Sequence, residues 1–92
     1  MNKYVIERTI PGAGKLAPSD LAEVTERSLA VLRELGTDVQ WVSTFVCADK
    51  LYCVYNAANA DIVREHARRG GFPADSIHQV VAVVDPTGAQ TR

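Results

Sequence analysis

The sequence has little of what several classes of protein require. Two cysteines in 92 residues are too few for a disulfide scaffold, and a reducing compartment keeps such cysteines as thiols. Ten Lys and Arg against eleven Asp and Glu leave a net charge of −1, so no overall field attracts nucleic acid or a membrane surface. The first residues lack the apolar stretch of a signal peptide, and no apolar run reaches the roughly eighteen residues that span a membrane. We therefore expect a cytoplasmic protein with no nucleic-acid or membrane partner.

Apolar residues, in contrast, are plentiful at 47% of the chain. Because charged residues make up only 23%, the composition excludes a disordered chain, which requires low hydrophobicity and high net charge. A chain of 92 residues allows one domain with a core of modest thickness. We assign this domain to residues 1–86 and expect residues 87–92 to form a flexible tail.

The hydrophobic periodicity predicts four strands and two helices. The strands are expected over residues 3–10, 39–47, 51–55 and 77–84. The first helix is expected to begin at a cap on Ser19 and to end at Gly36. The second is expected to begin at a cap on Asn59 and to end at Gly70-Gly71. The order β-α-β-β-α-β predicts an α+β, ferredoxin-like fold, with a four-stranded antiparallel sheet and both helices on one face.

The two middle strands are apolar on both sides. A two-residue turn at Asp49-Lys50 places the two cysteines on opposite faces, which argues against an internal disulfide. One face then carries Trp41, Phe45, Cys47, Tyr52 and Val54, and the other carries Val42, Thr44, Val46, Leu51, Cys53 and Tyr55. Because two helices cover only one face, we expect the other to form a homodimer, packed sheet against sheet about a two-fold axis.

His66 is the leading candidate for a functional side chain. It follows Ile62 by four residues and Val63 by three, so helical spacing places it near the inward stripe of the second helix. An imidazole there needs a partner for each ring nitrogen, and either a hydrogen bond or a metal ion supplies one. His78 is in phase with Val80 in the last strand, and it either approaches the same helix end or lies at the rim of the sheet.

Cys53 and Glu7 are the secondary candidates. Cys53 lies in the middle of a strand, where it is either an inert buried thiol or a ligand that reaches the second helix. Glu7 is in phase with Val5 and places a charge within a strand. It either pairs with Arg8 or another cation, or contributes a carboxylate to a site.

Several segments of the chain together resemble a known family. The first half of that family's sequence is similar to residues 4–8 (YVIER), Pro11-Gly12 and residues 41–43 (WVS) of this chain. Its centre and second helix are similar to residues 49–55 (DKLYCVY) and 64–73 (REHARRGGFP). The family is that of the small nickel-binding, nickel-responsive proteins of ferredoxin-like fold, many of which are known only as a domain of unknown function. The resemblance covers residues 3–86 and implies a homodimer and nickel binding, and Cys47 is a thiol outside the family pattern.

These residues suggest two functions. A third possibility is a structural or interaction module that binds neither metal nor substrate. The first is a non-catalytic nickel-binding protein in metal sequestration or response, with ligands drawn from His66, Cys53, Glu7 and His78. Imidazole and carboxylate suit octahedral Ni(II), and thiolate suits a square-planar site. The alternative is a small dimeric α/β-barrel enzyme, monooxygenase- or isomerase-like, that acts on a cyclic or aromatic compound with His66 as general base. A pocket lined by tyrosines would favour the enzyme.

Overall fold

Four strands and two helices follow one another in the predicted order within residues 1–87, the part of the chain that the computed structural model describes. They are β1 (Asn2–Thr9), α1 (Pro18–Leu35), β2 (Val39–Val46), β3 (Lys50–Ala57), α2 (Ala60–Gly70) and β4 (Ser76–Val80). The strands form one antiparallel sheet in the order β2-β3-β1-β4. The α+β, ferredoxin-like fold is thereby confirmed. Residues 88–92 of the expected flexible tail lie outside the described residues.

The helix α1 begins earlier than its expected cap at Ser19. Pro18 occupies the first helical position, where its fixed φ suits the helix and no backbone N–H is needed. The carboxylate of Asp20 accepts a hydrogen bond from the backbone N–H of Ala17 at 3.2 Å. Ser19 therefore lies inside the first turn. The helix ends at Leu35, and Gly36 follows it with a φ of 81°, which favours a residue without Cβ.

The helix α2 begins and ends as predicted. The side chain of Asn59 caps its N-terminus by accepting a hydrogen bond from the backbone N–H of Ile62 at 3.0 Å. Gly71 follows the last turn in the left-handed conformation, with a φ of 69°. These two signals fix the length of α2, and with it the position of His66 on the helix.

The hairpin between β2 and β3 differs from the prediction in its turn. The backbone N–H of Cys47 donates to the carbonyl of Lys50 at 2.8 Å, so the turn residues are Ala48 and Asp49. Phe45 consequently lies opposite Tyr52. The observed register is thus displaced by two residues from the predicted one. Because side chains alternate with a period of two, this displacement leaves each side chain on its predicted face.

Trp41 is the exception, because a bulge interrupts the ladder between Trp41 and Ser43. The extra residue, Val42, is 49% exposed. A bulge reverses the alternation of side chains on one side of it. Trp41 therefore lies opposite Tyr55 and shares its face with Thr44, against the prediction that grouped it with Phe45.

The strand β4 ends at Val80, four residues before its predicted end. Its ladder with β1 runs from the pair Glu7–Ser76 to the pair Lys3–Val80. The strand β1 begins at Asn2, only one residue before Lys3, so the residues after Val80 have almost no strand beside them to pair with. The side chains of Val81, Val83 and Val84 are accordingly exposed.

The core lies between the sheet and the two helices. The buried residues contributed by the strands are Tyr4, Ile6, Val39, Leu51, Cys53, Tyr55 and Ala57, and those that pack on them from the helices are Leu32, Leu35 and Val63. We call this side of the sheet the covered face and the other side the open face. No helix within residues 1–87 is long and apolar enough to cross a membrane.

We expect Val63→Ala to lower the free energy of unfolding by about 2 kcal/mol, because the side chain is 0% exposed and its removal leaves a cavity in the core. The matched control is Val42→Ala, the same deletion at the half-exposed bulge, with an expected change within about 0.5 kcal/mol. Urea denaturation followed by circular dichroism measures both values. Equal losses in the two variants would contradict this assignment of the core.

Candidate functional site

His66 lies at the centre of the covered face, at the contact between the helices. It is 0% exposed, and its Nε2 is 3.1 Å from the hydroxyl oxygen of Ser28 on α1. Its Nδ1 is buried without a hydrogen-bond partner among residues 1–87. Its ring lies 5.2 Å from the ring of Tyr55 and 5.5 Å from that of Phe72. The prediction of an inward position on α2 is correct.

The imidazole of His66 is held in its neutral form. Burial, with the positive charge of Arg8 as a smaller cause, lowers its pKa from 6.5 to about 4. Burial likewise raises the pKa of Tyr55 above 10.0, although the nearby Arg8 opposes that shift. Both groups are therefore uncharged at neutral pH, and the positive charge that acts on both of them is that of Arg8.

Arg8 is the residue that sequence analysis missed. Its guanidinium is buried on the covered face, where Nε donates to Sγ of Cys53 at 3.4 Å and Nη2 donates to the hydroxyl of Tyr55 at 3.5 Å. Nη1 donates to the carbonyl of Pro73. The sequence does indicate this buried position, because Arg8 is in phase with the apolar Tyr4 and Ile6 along β1.

A cavity of about 310 Å³ opens beside Arg8, between the sheet and α1. Its lining is mostly apolar and includes Leu21, Val24, Trp41, Val46, Leu51 and Phe72. The hydroxyl-bearing residues that line it are Thr25, Ser28, Thr44 and Tyr55. The charged residues among the described lining are two arginines, Arg8 and Arg27. Of the three tyrosines, Tyr55 alone belongs to this described lining.

Cys53 lies on the covered face, on the same side of the sheet as His66. Its sulfur accepts hydrogen bonds from Nε of Arg8 at 3.4 Å and from the hydroxyl of Thr44 at 3.2 Å. Cys47 is exposed at the hairpin, and both cysteines are free thiols. The expected absence of a disulfide between them agrees with their positions on opposite faces.

Glu7 and His78 lie on the open face. The register of β1 with β4 pairs Val5 with His78 and Glu7 with Ser76, so Glu7 and His78 are diagonal neighbours, about 7–8 Å apart between Cα atoms. The carboxylate of Glu7 forms an ion pair with Lys50 at 3.4 Å. The sheet thus separates the four predicted ligands into an open-face pair, Glu7 and His78, and a buried pair, His66 and Cys53.

The carboxylates of α2 have arginine partners. Glu65 accepts hydrogen bonds from Arg68 and Arg69, which lower its pKa from 4.5 to about 2. Asp61 pairs with Arg64 at 2.9 Å. Within residues 1–87, no three side chains of His, Cys, Asp or Glu are grouped closely enough to hold a metal ion.

The chain is similar to known proteins both in sequence and in fold. The model of one protein family, described as "Nickel responsive protein SCO4226-like", matches residues 4–80. The chain belongs to the SCO4226-like family. This result confirms the resemblance that the sequence motifs indicated, over most of the range expected for it.

The fold of the family is also found in a solved structure. The crystal structure of SCO4226 from Streptomyces coelicolor A3(2) has a TM-score of 0.75 to this chain at 20% sequence identity, covering 89% of this chain and 99% of SCO4226. At that identity the likeness concerns the fold. Among curated proteins, none matches the sequence.

The depressed pKa of His66 predicts how stability depends on pH. Between pH values of about 6.5 and about 4, the unfolded chain binds a proton at His66 that the folded chain does not. The free energy of unfolding should therefore fall as the pH falls through this window, by up to about 3 kcal/mol. Urea denaturation at a series of pH values, with a chelator present, measures the slope.

The control for this slope is His66→Gln, which keeps a group able to bond with Ser28 but does not titrate. Its stability should depend less steeply on pH between about 6.5 and about 4. Parallel pH profiles for the two proteins would show that the proton uptake belongs to another group.

Proposed function

We propose that the protein binds a divalent metal, nickel in the first place, and acts without catalysis in the response to nickel or in its sequestration. Membership of the SCO4226-like family, described as nickel responsive, is the observation that carries this proposal. The chemistry of the predicted ligands supports it, because imidazole nitrogen and carboxylate oxygen suit octahedral Ni(II). The remaining question is which of the two pairs of ligands holds the ion.

The buried pair is poorly suited to a cation. Cys53 already accepts hydrogen bonds from Arg8 and Thr44, and the guanidinium of Arg8 lies 3.4 Å from its sulfur. A divalent ion at this place would face a fixed positive charge in a region of low dielectric, where repulsion between charges is strong. His66 also uses its Nε2 in the contact with Ser28. Only its Nδ1 is unpartnered among the described residues.

The open-face pair is better suited. Glu7 and His78 are diagonal neighbours on the open face, where His78 is exposed and water has access to an ion. The ion pair of Glu7 with Lys50 is partly exposed, and such pairs contribute at most about 1 kcal/mol. One carboxylate and one imidazole are too few, but a two-fold axis through the open face doubles them to two of each.

The open face has the composition of a surface that binds a second copy. Its apolar side chains include Val5, Tyr52 and Val54 on the two inner strands and Phe45 on the edge strand β2, where Phe45 is 61% exposed. Apolar side chains grouped in this way on the uncovered side of a sheet favour burial against a partner. A second copy of the chain satisfies both needs, since it covers these residues and contributes the missing ligands. The homodimer and the metal site are therefore parts of one proposal.

The alternative function, an enzyme with His66 as general base, has less support. A cavity is present, but His66 is not among the described residues that line it, because Ser28 lies at the wall and His66 behind it. A general base must come within hydrogen-bond reach of the proton that it removes. The geometry provides no such approach.

We expect His78→Ala to weaken the binding of Ni(II) at least about tenfold, because it removes the imidazole ligand on the open face. The matched control is His66→Ala, which should change the affinity less than about threefold. Isothermal titration of protein without an affinity tag measures both. Binding should also weaken as the pH falls, because the ligand nitrogen must be unprotonated.

If His66→Ala removes binding and His78→Ala does not, the buried pair holds the ion and the assignment to the open face is wrong. If wild-type protein binds no Ni(II) at neutral pH, the proposed function fails as a whole. A ratio of one ion to two chains is expected from the two-fold arrangement.

We expect Phe45→Asp to dissociate the homodimer, because a carboxylate at this exposed apolar position of the open face would be buried in the interface without a partner. The matched control is Val46→Asp, the next residue, which faces the cavity on the other side. It should keep the dimer and lower the free energy of unfolding. Light scattering at micromolar concentration distinguishes the two, and a wild-type species of 10.0 kDa would refute the dimer.

A further inference from the structure

The covered face contains a buried positive charge that has no ion-pair partner within residues 1–87, although the charge of Arg8 adds to the hydrogen bonds from Thr9 in lowering the pKa of the exposed Asp75. Arg8 is 2% exposed, and the ion pairs formed within residues 1–87 all use other cations: Lys50, Arg64, Arg68 and Arg69. Removing a charged group from water is unfavourable unless hydrogen bonds and an opposite charge compensate. The groups that accept from Arg8 are a thiol, a carbonyl and a phenol. They provide hydrogen bonds, but no negative charge.

The guanidinium of Arg8 also keeps part of its hydrogen-bonding capacity free. A guanidinium has five N–H groups, and the described residues accept one bond from each of the three nitrogens of Arg8. One N–H on each terminal nitrogen is left without an acceptor within residues 1–87. Two N–H groups on adjacent nitrogens are the arrangement that a guanidinium offers to the two oxygens of a carboxylate.

The cavity beside Arg8 has the size and lining for a small molecule. Its volume of about 310 Å³ is at the lower end of the range of about 300–1,000 Å³ found for ligand pockets. Its lining includes the aromatic rings of Trp41 and Phe72 and the aliphatic side chains of Leu21 and Val24. No Asp or Glu belongs to the described lining, and the guanidinium of Arg27 lies 4.9 Å from the centre of the Phe72 ring. The electrostatic field in the cavity therefore favours an anion.

We propose that this cavity binds a small monocarboxylate with a flat hydrocarbon body, whose carboxylate pairs with Arg8. The carboxylate supplies the negative charge that the buried guanidinium lacks, and the hydrocarbon body occupies the apolar space between the sheet and α1. Arg27, which also packs against Phe72 and lines the cavity, adds a second positive charge. The site is one of binding, and no bond is made or broken in it.

This site is independent of the proposed nickel site. Arg8 and the cavity lie on the covered face, whereas Glu7 and His78 lie on the open face. The experiment is therefore done with metal-free protein in the presence of a chelator. Failure of one proposal leaves the other unaffected.

Trp41 provides the measurement, because it is the one tryptophan of the chain and it lines the cavity. We expect phenylacetate to change its fluorescence in a saturable way and to release or absorb heat in a titration. Phenylacetamide has nearly the same shape without the charge, and it should bind at least about tenfold more weakly. Equal affinity for the two probes, or no binding of phenylacetate at millimolar concentration, would overturn the proposal.

Two variants locate the binding. Arg8→Met removes the charge and should weaken phenylacetate at least about tenfold while leaving phenylacetamide unchanged. Val24→Phe fills the cavity from α1 without touching Arg8 and should weaken both probes, whereas Ala30→Phe, at an exposed position of the same helix outside the lining, should weaken neither. Circular dichroism confirms that each variant is folded. If phenylacetate binds equally to wild type and to Val24→Phe, the ligand does not occupy this cavity.

Discussion

The burial of the Arg8 guanidinium is the constraint on which the covered face depends. Its three nitrogens reach Cys53 and Tyr55 on β3 and the carbonyl of Pro73 between α2 and β4. The guanidinium also lies 5.5 Å from the centre of the Phe72 ring. One side chain on β1 thus connects the neighbouring strand with the segment that leads from α2 back to the sheet. Removing it would take one donor away from each of these three acceptors.

The same charge determines what else this face can hold. It contributes to the low pKa of His66, which stays neutral and packs as part of the core. It lies next to the Cys53 sulfur and so opposes any cation there. A face with a buried positive charge and an apolar cavity is suited to an anion, and it is unsuited to a divalent metal. The separation of the two proposed sites therefore follows from the electrostatics of Arg8 as well as from the geometry of the sheet.

Much of the fold could be predicted from the sequence, because its local signals agree with one another. Asn59 and Gly71 limit α2, and Gly36 limits α1, so the helices were placed to within a few residues. The faces of β2 and β3 were mostly correct although the predicted register was displaced, since a displacement of two positions preserves the alternation. The bulge after Trp41 could not be anticipated, because neither glycine nor a break in composition marks it. The site was harder to predict, since burial of Arg8 depends on acceptors far along the chain and a two-chain metal site depends on an assembly.

Because side chains alternate along β1, the position of Arg8 in the core and the position of Glu7 on the open face depend on each other. Glu7 and Arg8 are adjacent in sequence and therefore point to opposite faces, one toward the proposed metal site and the other into the core. A slip of one residue against β3 would move Tyr4, Ile6 and Arg8 to the open face and bury Lys3, Val5 and Glu7 instead. Lys3 and Glu7 would then place two charges in the core. The acceptors on Cys53, Tyr55 and Pro73 are positioned for Arg8 and would not pair with Lys3 or Glu7. The acceptors that hold Arg8 thus favour the native register, and the same register keeps Glu7 beside His78 on the open face.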